Sequence, residues 1–269
     1  MKSLTPDNLQ SGFADCDFIK RIVFFEETTS TNTAAADGLK RGVYPPDTLI
    51  VADYQSGGKG RQGRKWLSPR GSSLLFSLIV KPEIPLDKIS FLTLLSGVAA
   101  ANAVNSVSPL HCSIKWPNDL IVNEKKIGGI LVETVFNQGD FLGVVIGIGI
   151  NVHQEKTDIP DEIKEIASSI NIEQKEEIPF SRIDILKEII NNFYKLYNIW
   201  LKKGPKQILN NWKKLSITIG KQVIIQSHQG KEHAEAIDIE NDGGLVVRDD
   251  NGFIKKIFDS EIEFIRFDK

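Results

Sequence analysis

Cysteine is almost missing from this chain: Cys16 and Cys112 are the only two in 269 residues. They are too few and too far apart for a disulfide framework, so both are expected to be reduced and structural. An excess of charge of either sign is missing too. Thirty-three Lys+Arg against 35 Asp+Glu leave a formal net charge of -2. That balance argues against a surface coated in positive charge for duplex DNA, and any anion site has to be local. No uninterrupted apolar run reaches the roughly 18–20 residues of a membrane span, because candidates such as Phe141 to Val152 are broken by glycines. The N-terminus lacks the basic, apolar and small-residue regions of a secretory signal, so a cytoplasmic location is expected. The four histidines show no metal-ligand spacing. His228 and His233 lie in a β-rich tail without cysteine partners, which removes a zinc site from the expectations.

What is present is ordinary globular composition, 41% hydrophobic and 25% charged, at a length that suits one large core plus a smaller appended domain. Ile22 to Phe25 reads as a short strand. Ser30-Thr31-Asn32 then reads as capping residues opening an alanine-rich helix that ends near Gly42. Thr48 to Tyr54 is β-rich, and the glycines, charges and Ser68-Pro69 from Gln55 to Gly71 predict a long loop. Ser73 to Val80 predicts a strand, and Leu86 to Val107 has helical spacing. Ser113 to Lys115, Asp119 to Val122, Ile127 to Val135 and Phe141 to Ile150 read as a meander of antiparallel strands, with a turn at Asn123-Glu124. Asp158 to Glu177 reads as a solvated helix and loop. Amphipathic helices are expected over Phe180 to Leu201 and around Gln207 to Lys214. From Gly220 onward, four or five short strand patterns with turns at Asp242-Gly243 and Asn251-Gly252 suggest a small β-barrel. The expected division is a large domain over residues 1–215 and a small one over 216–269.

Gly58-Lys59-Gly60-Arg61-Gln62-Gly63 formally matches the G-x-G-x-x-G dinucleotide fingerprint. That fingerprint needs a helix to open at the loop, and Arg64-Lys65-Trp66-Leu67-Ser68-Pro69 offers none. What remains is a basic loop whose backbone can approach an anion, and by itself it is equally an exposed surface loop. Lys115-Trp116-Pro117-Asn118-Asp119-Leu120 places polar groups at the edge of apolar strands, where Asp119 either satisfies a turn or serves chemistry. Gly128 and Gly129 inside a strand pattern mark close approach by a ligand or backbone. Gly147-Ile148-Gly149-Ile150-Asn151 ends a buried strand with Asn151 at its exit, and by itself reads as tight packing followed by an asparagine turn. Ser30-Thr31-Asn32 suits a helix cap and a small polar ligand equally.

Taken together and in order, E-x-T-x-S-T-N, G-G-K-G-R-Q-G-R-K-W, K-W-P-N-D-L, K-I-G-G-I-L-V-E and G-I-G-I-N-V resemble the biotin protein ligases over about residues 20 to 152. The tail is similar to that family's small SH3-like C-terminal domain. The resemblance implies an α+β fold, with a central mixed β-sheet and helices on one side as in class II aminoacyl-tRNA synthetases. It also implies an enzyme that forms biotinyl-adenylate from biotin and ATP, with Mg2+, and passes biotin to a lysine of a biotin carboxyl carrier protein. By position, Ser30, Thr31, Asn32 and Gln55 match the biotin-holding residues, and Lys59, Gly60 and Arg61 match the loop covering biotin and phosphate. Lys126 matches the lysine reaching the carboxylate and α-phosphate, with Gly129 beside it. Arg64, Asn118 and Asn151 match positions around ATP. Lys126, Arg61 and Asp119 are the implied catalytic residues, with Asp119 also the metal candidate. Family members usually carry arginine where this chain has Lys59, so charge is kept and the planar fork is not.

Three other readings share parts of this pattern: a lipoate ligase, a biotin-responsive repressor, and a noncatalytic binding protein. Only about twenty residues precede the first strand, too few for a helix-turn-helix module, so DNA binding is not expected. A homodimer through the sheet is common in the family.

Overall fold

The computed structural model describes residues 4–174, 181–227, 230–258 and 260–264. In chain order the larger part comprises α1 (Pro6–Gly12), β1 (Arg21–Thr28), α2 (Thr31–Lys40), β2 (Thr48–Gln55), β3 (Gly58–Lys59), β4 (Lys65–Trp66), β5 (Ser73–Val80) and α3 (Phe91–Val107). It continues through β6 (Ser113–Lys115), β7 (Asp119–Val122), β8 (Lys125–Asn137), β9 (Asp140–Asn151), α4 (Ile170–Glu173), α5 (Arg182–Lys203) and α6 (Lys206–Leu215). The tail holds β10 (Gln222–Ser227), β11 (Gly230–Ile239), β12 (Leu245–Asp249), β13 (Ile254–Ile257) and β14 (Glu261–Phe264).

Seven strands form one sheet in the order β1-β2-β5-β9-β8-β7-β6. Only β1 and β2 run parallel; every other pair is antiparallel. The mixed sheet of the α+β expectation is therefore present. Two-residue turns set the meander's register. Asn123 and Glu124 both take positive φ between β7 and β8, as do Gln138 and Gly139 between β8 and β9, the geometry that twisted hairpins favour.

Strand residues alternate between two cores. Leu74, Phe76, Leu78 and Val80 of β5 join α3, α5 and α6 in the main core, whereas Ile79 joins Val145 and Val135 against Ala35 and Leu39 of α2. Helices on one side was the expectation; α2 instead sits alone on the opposite face. Its length explains the arrangement: ten residues cover one end of that face and leave the rest open.

Two other expectations change, and a third holds over its described residues. Leu86–Val107 is not one helix, because a 3-10 turn at Leu86–Lys88 precedes α3. The same stretch, with a mean hydropathy of 1.3, is long and apolar enough to cross a membrane by length and composition, and 72% of its apolar window is buried in the core. Hydrophobic all round is what a central core helix requires. Asp158 to Glu177 is not simply solvated, since Ser168, Ser169 and Ile170 are buried and the backbone of Ile166 and Ser168 pairs with Lys126. Of the expected helix from Phe180 to Leu201, Phe180 lies outside the described residues; Ser181 caps α5 by accepting from the Asp184 N–H.

The tail forms a five-stranded antiparallel sheet in the order β13-β12-β11-β10-β14. It is tied directly to the large sheet. The buried Trp116 donates two bonds to the tail: its backbone N–H to Thr218 Oγ1 at 2.9 Å and its indole N–H to the Gly243 carbonyl at 3.2 Å.

Candidate functional site

Sheet register places the motifs side by side. One row across the open face reads Ala52, Leu75, Gly149, Gly129, Asp119 and Lys115 through successive strand pairings. The neighbouring row toward α2 reads Ile50, Ser77, Gly147 and Leu131. Small residues thus floor the middle of the face, and charged ones close one end.

The glycines are used as space. A Cβ on Gly149 would lie 2.9 Å from Trp66 Cε2, and one on Gly129 would lie 3.5 Å from Trp66 Cζ3. The indole therefore rests on this floor, with its Nε1 buried and lacking a hydrogen-bond partner. A Cβ on Gly147 would lie 2.1 Å from Asn32 Oδ1, closer than any side chain allows.

At the α2 end the residues are buried and uncharged. Ser30, Thr31 and Asn32 are 2%, 4% and 4% exposed. Gln55 Oε1 accepts from the Thr31 N–H at 2.7 Å and lies 3.0 Å from Thr31 Oγ1. A backbone N–H can only donate, so this contact fixes the amide and turns Gln55 Nε2 the other way, toward Gly58. Ser30 starts the helix in extended conformation, yet its hydroxyl does not cap it. The Asn32 amide is spent within the protein: Nδ2 donates to Glu133 Oε2 at 2.7 Å and to the Leu131 carbonyl at 3.3 Å, and Oδ1 accepts from Ser77 at 2.6 Å.

At the other end the groups are charged. Lys126 Nζ lies 2.5 Å from Asp119 Oδ1 and 5.9 Å from the Trp66 ring centre. Beside this pair, Lys115 holds its amine 4.9 Å from the Phe264 ring centre. Burial pushes the Lys115 pKa down, and nearby Lys126 and Arg64 push the same way, against Asp119 and Glu263. The Lys126 backbone is held by both Ile166 and Ser168.

The expected loop is an organised hairpin. Gly58 pairs with Trp66 and Lys59 with Lys65, and a 3-10 turn at Arg61–Gly63, with Gln62 at φ 53°, makes its tip. Strands of two residues are too short to leave a periodic signal, which is why the sequence reads as a loop. Gly60 N–H closes the turn on the Arg64 carbonyl at 2.7 Å. Arg61 Nη1 reaches Asn118 Oδ1 at 3.4 Å, and Asn118 is itself anchored, its Nδ2 donating to the Ile130 carbonyl at 2.8 Å. Arg64 and Lys59 are exposed. Asn151 is buried at the end of β9, with Nδ2 donating to the Ser168 carbonyl and Oδ1 accepting from Ser73.

The structure therefore brings Ser30, Thr31, Asn32, Gln55, Gly129, Asp119, Lys126, Asn118 and Arg61 to one face. Asn151 closes the Ser73 row, and Lys59, Gly60 and Arg64 ride on the hairpin above. Motif reasoning missed Lys115, Ser77, Glu133 and the particular place of Trp66. Lys115 and Glu133 stand at the ends of quoted motifs, and strand alternation counted from Asp119 and Gly129 puts them on the site's face. Ser77 has no such signal, because only register brings it beside Gly147.

Comparison with known proteins agrees with this geometry. The model of the biotin/lipoate A/B protein ligase family matches residues 24–151, and that of the biotin protein ligase C-terminal domain matches residues 218–264. The bifunctional ligase/repressor BirA of Bacillus subtilis is 35% identical over 241 residues, covering 90% of this chain and 73% of that protein. The biotin--[acetyl-CoA-carboxylase] ligase of Mycobacterium tuberculosis is 29% identical, covering 81% of this chain and 80% of that one. The solved biotin protein ligase from Aquifex aeolicus in complex with biotin and ATP superposes with a TM-score of 0.77 at 28% identity, covering 93% of this chain and all of that one. With this level of identity, spread over both the large sheet and the tail, the chain belongs to the biotin protein ligase family.

Proposed function

We propose that this chain activates biotin with ATP and then transfers it to a lysine of a biotin carboxyl carrier protein. One observation carries the reading: a single glycine-floored face joins an uncharged, buried hydrogen-bonding rim to a cluster of cations. A small ligand with a neutral polar head and an anionic tail fits that polarity. Ser30, Thr31 and Gln55 hold the ureido ring, with Asn32 behind them, and Gly129, Gly149 and Trp66 form the slot for the apolar chain. Lys126 meets the carboxylate and α-phosphate, while Lys59, Gly60, Arg61 and Arg64 cover them from the hairpin. Asn118 and Asn151 face ATP.

In the first step a biotin carboxylate oxygen attacks the α-phosphorus of ATP and pyrophosphate leaves. Two anions meet, so the barrier is lowered chiefly by fixed cations at the phosphate and by orientation. Lys126, Arg61 and the half-buried Lys115 supply that charge. In the second step the carrier lysine amine attacks the acyl carbon of the adenylate and AMP leaves. Asp119 accepts the amine proton, its carboxylate freed as Lys126 turns to the phosphate. Magnesium is held by one or two carboxylates together with waters and substrate phosphates. Among the described residues no three metal-ligating side chains converge, so the second oxygen of Asp119 is what the chain offers, and the ion would offset triphosphate charge there.

The test is mass spectrometry of a carrier domain incubated with the protein, biotin and magnesium ATP. A gain of one biotinyl group on one lysine is expected, and an unmodified carrier would overturn the reading.

A further inference from the structure

Behind the uncharged rim lie two side chains, Glu133 and Ser77, that the proposed chemistry does not use. Glu133 Oε2 accepts from Asn32 Nδ2 at 2.7 Å. Asn32 Oδ1 lies 2.6 Å from Ser77 Oγ, and Ser77 Oγ lies 2.8 Å from Thr31 Oγ1. Thr31 Oγ1 in turn lies 3.0 Å from Gln55 Oε1.

The direction of each bond follows from what each group can do. A carboxylate only accepts, so the Asn32 amide presents its N–H2 to Glu133, and the Leu131 carbonyl at 3.3 Å demands the same orientation. The Asn32 carbonyl oxygen is then turned to Ser77. It can only accept, so it takes Ser77's single hydroxyl proton. Thr31 receives none from Ser77 and donates its own, to Ser77 or to Gln55. Either way, the lone pairs of Thr31 Oγ1 remain for a ligand N–H, while Gln55 Nε2 presents donors. Ser77 is fully buried and Asn32 Oδ1 is packed against Gly147, where a Cβ would lie 2.1 Å away, so the Ser77–Asn32 contact is closed to water.

We propose that Glu133 and Ser77 are specificity-determining positioning residues that fix which rim groups donate and which accept. Neither touches the ligand; both act through Asn32 and Thr31. The inference rests on the biotin reading above and adds how that site tells a cyclic urea from an analogue whose carbonyl acceptor is replaced by a donor. The informative probe is 2-iminobiotin, in which the urea carbonyl becomes a donor group.

The experiment measures pyrophosphate release by the full chain with biotin and with 2-iminobiotin for wild type, Ser77→Ala, Glu133→Ala and Glu133→Gln. The two alanine variants are expected to raise the KM for biotin about tenfold, equivalent to about 1.4 kcal/mol, with kcat within about twofold. Their preference for biotin over 2-iminobiotin should fall by a similar factor. Glu133→Gln keeps an acceptor oxygen for Asn32 and should restore both quantities most of the way. Unchanged KM and unchanged preference in both alanine variants would overturn the proposal. So would a fall in kcat and thermal midpoint with KM unmoved, the mark of a purely structural role. Wild type without biotin-dependent turnover would instead sink the functional reading itself, which separates the two failures.

Discussion

The two ends of the site are built on opposite principles. At the α2 end the rim side chains are neutral and hydrogen-bonded to one another: Thr31, Asn32, Ser77 and Gln55 form one network against the sheet, with the Glu133 carboxylate behind Asn32. At the far end the groups are charged and partly open, with Lys126 and Asp119 36% and 23% exposed, beneath a hairpin tipped by Arg61–Gly63. Recognition of a neutral head group needs fixed donors and acceptors, since a mispaired buried polar group costs about 1–3 kcal/mol. Phosphate chemistry needs charge that can approach and withdraw, because ATP must enter and pyrophosphate must leave. The fold supplies the first from a helix N-terminus locked onto a sheet and the second from a two-strand hairpin.

That contrast makes substitutions at the two ends fail differently. The largest effect should come at the charged end: Lys126→Ala removes the cation proposed to meet the reacting phosphate and leaves Asp119 without its counter-charge. Adenylate formation is expected to fall about a hundred- to thousandfold, with a smaller rise in the KM for biotin from the lost contact to its carboxylate. Pyrophosphate release in single turnovers checks it, and wild-type rates would remove Lys126 from the first step.

Next is a steric break at the neutral end. In Gly147→Ala the new Cβ would meet Asn32 Oδ1 at 2.1 Å, and Asn32 cannot retreat without breaking its bonds to Glu133 and Leu131. Such overpacking costs about 1–3 kcal/mol and disrupts the rim. A lowered thermal midpoint and a biotin affinity weakened about tenfold or more are expected. Isothermal titration with biotin alone, without ATP, reads it at the end where it acts.

A smaller change belongs to the hairpin. Arg61→Ala removes a charge-assisted donor that now reaches toward Asn118 at 3.4 Å, and a bond of this type is worth about 1.5–3 kcal/mol. The adenylate should leave or hydrolyse about tenfold faster while its formation slows less. An unchanged lifetime of the intermediate on the enzyme would show that the hairpin is not a cover.

How much of this contrast the sequence discloses depends on whether a feature is local. Strand β5 falls where its short apolar run places it, Ser73–Val80, and the turn at Asn123-Glu124 follows from turn chemistry. The charged end is legible because its residues cluster in short motifs. The neutral end is legible only in part: Ser30-Thr31-Asn32 is a visible cap and Glu133 follows from Gly129 by strand alternation, but Ser77 joins them only through strand register, which no single segment encodes. Lys115 stands at the end of its motif, and register places it two strands from Gly129 along the same row. Trp66 belongs to a hairpin of two-residue strands, below the length at which any period can be read. The position of α2 on the second face is likewise a tertiary outcome, fixed by where Ala35 and Leu39 find Ile79 and Val145.

The smallest effect tests Lys59, where the family resemblance implies an arginine. Lys59 is exposed on β3 and pairs through its backbone with Lys65, so its ammonium is a solvated point charge on the hairpin. Lys59→Arg would supply a planar fork able to hold two phosphate oxygens at once. Because the position is solvent-exposed, the gain is screened and side-chain ordering offsets part of it. Adenylate lifetime should lengthen by less than about threefold, with no change in biotin affinity measured without ATP. A change in that affinity would mean that the hairpin reaches the neutral end, and the division between the two halves would then be less sharp than their chemistry indicates.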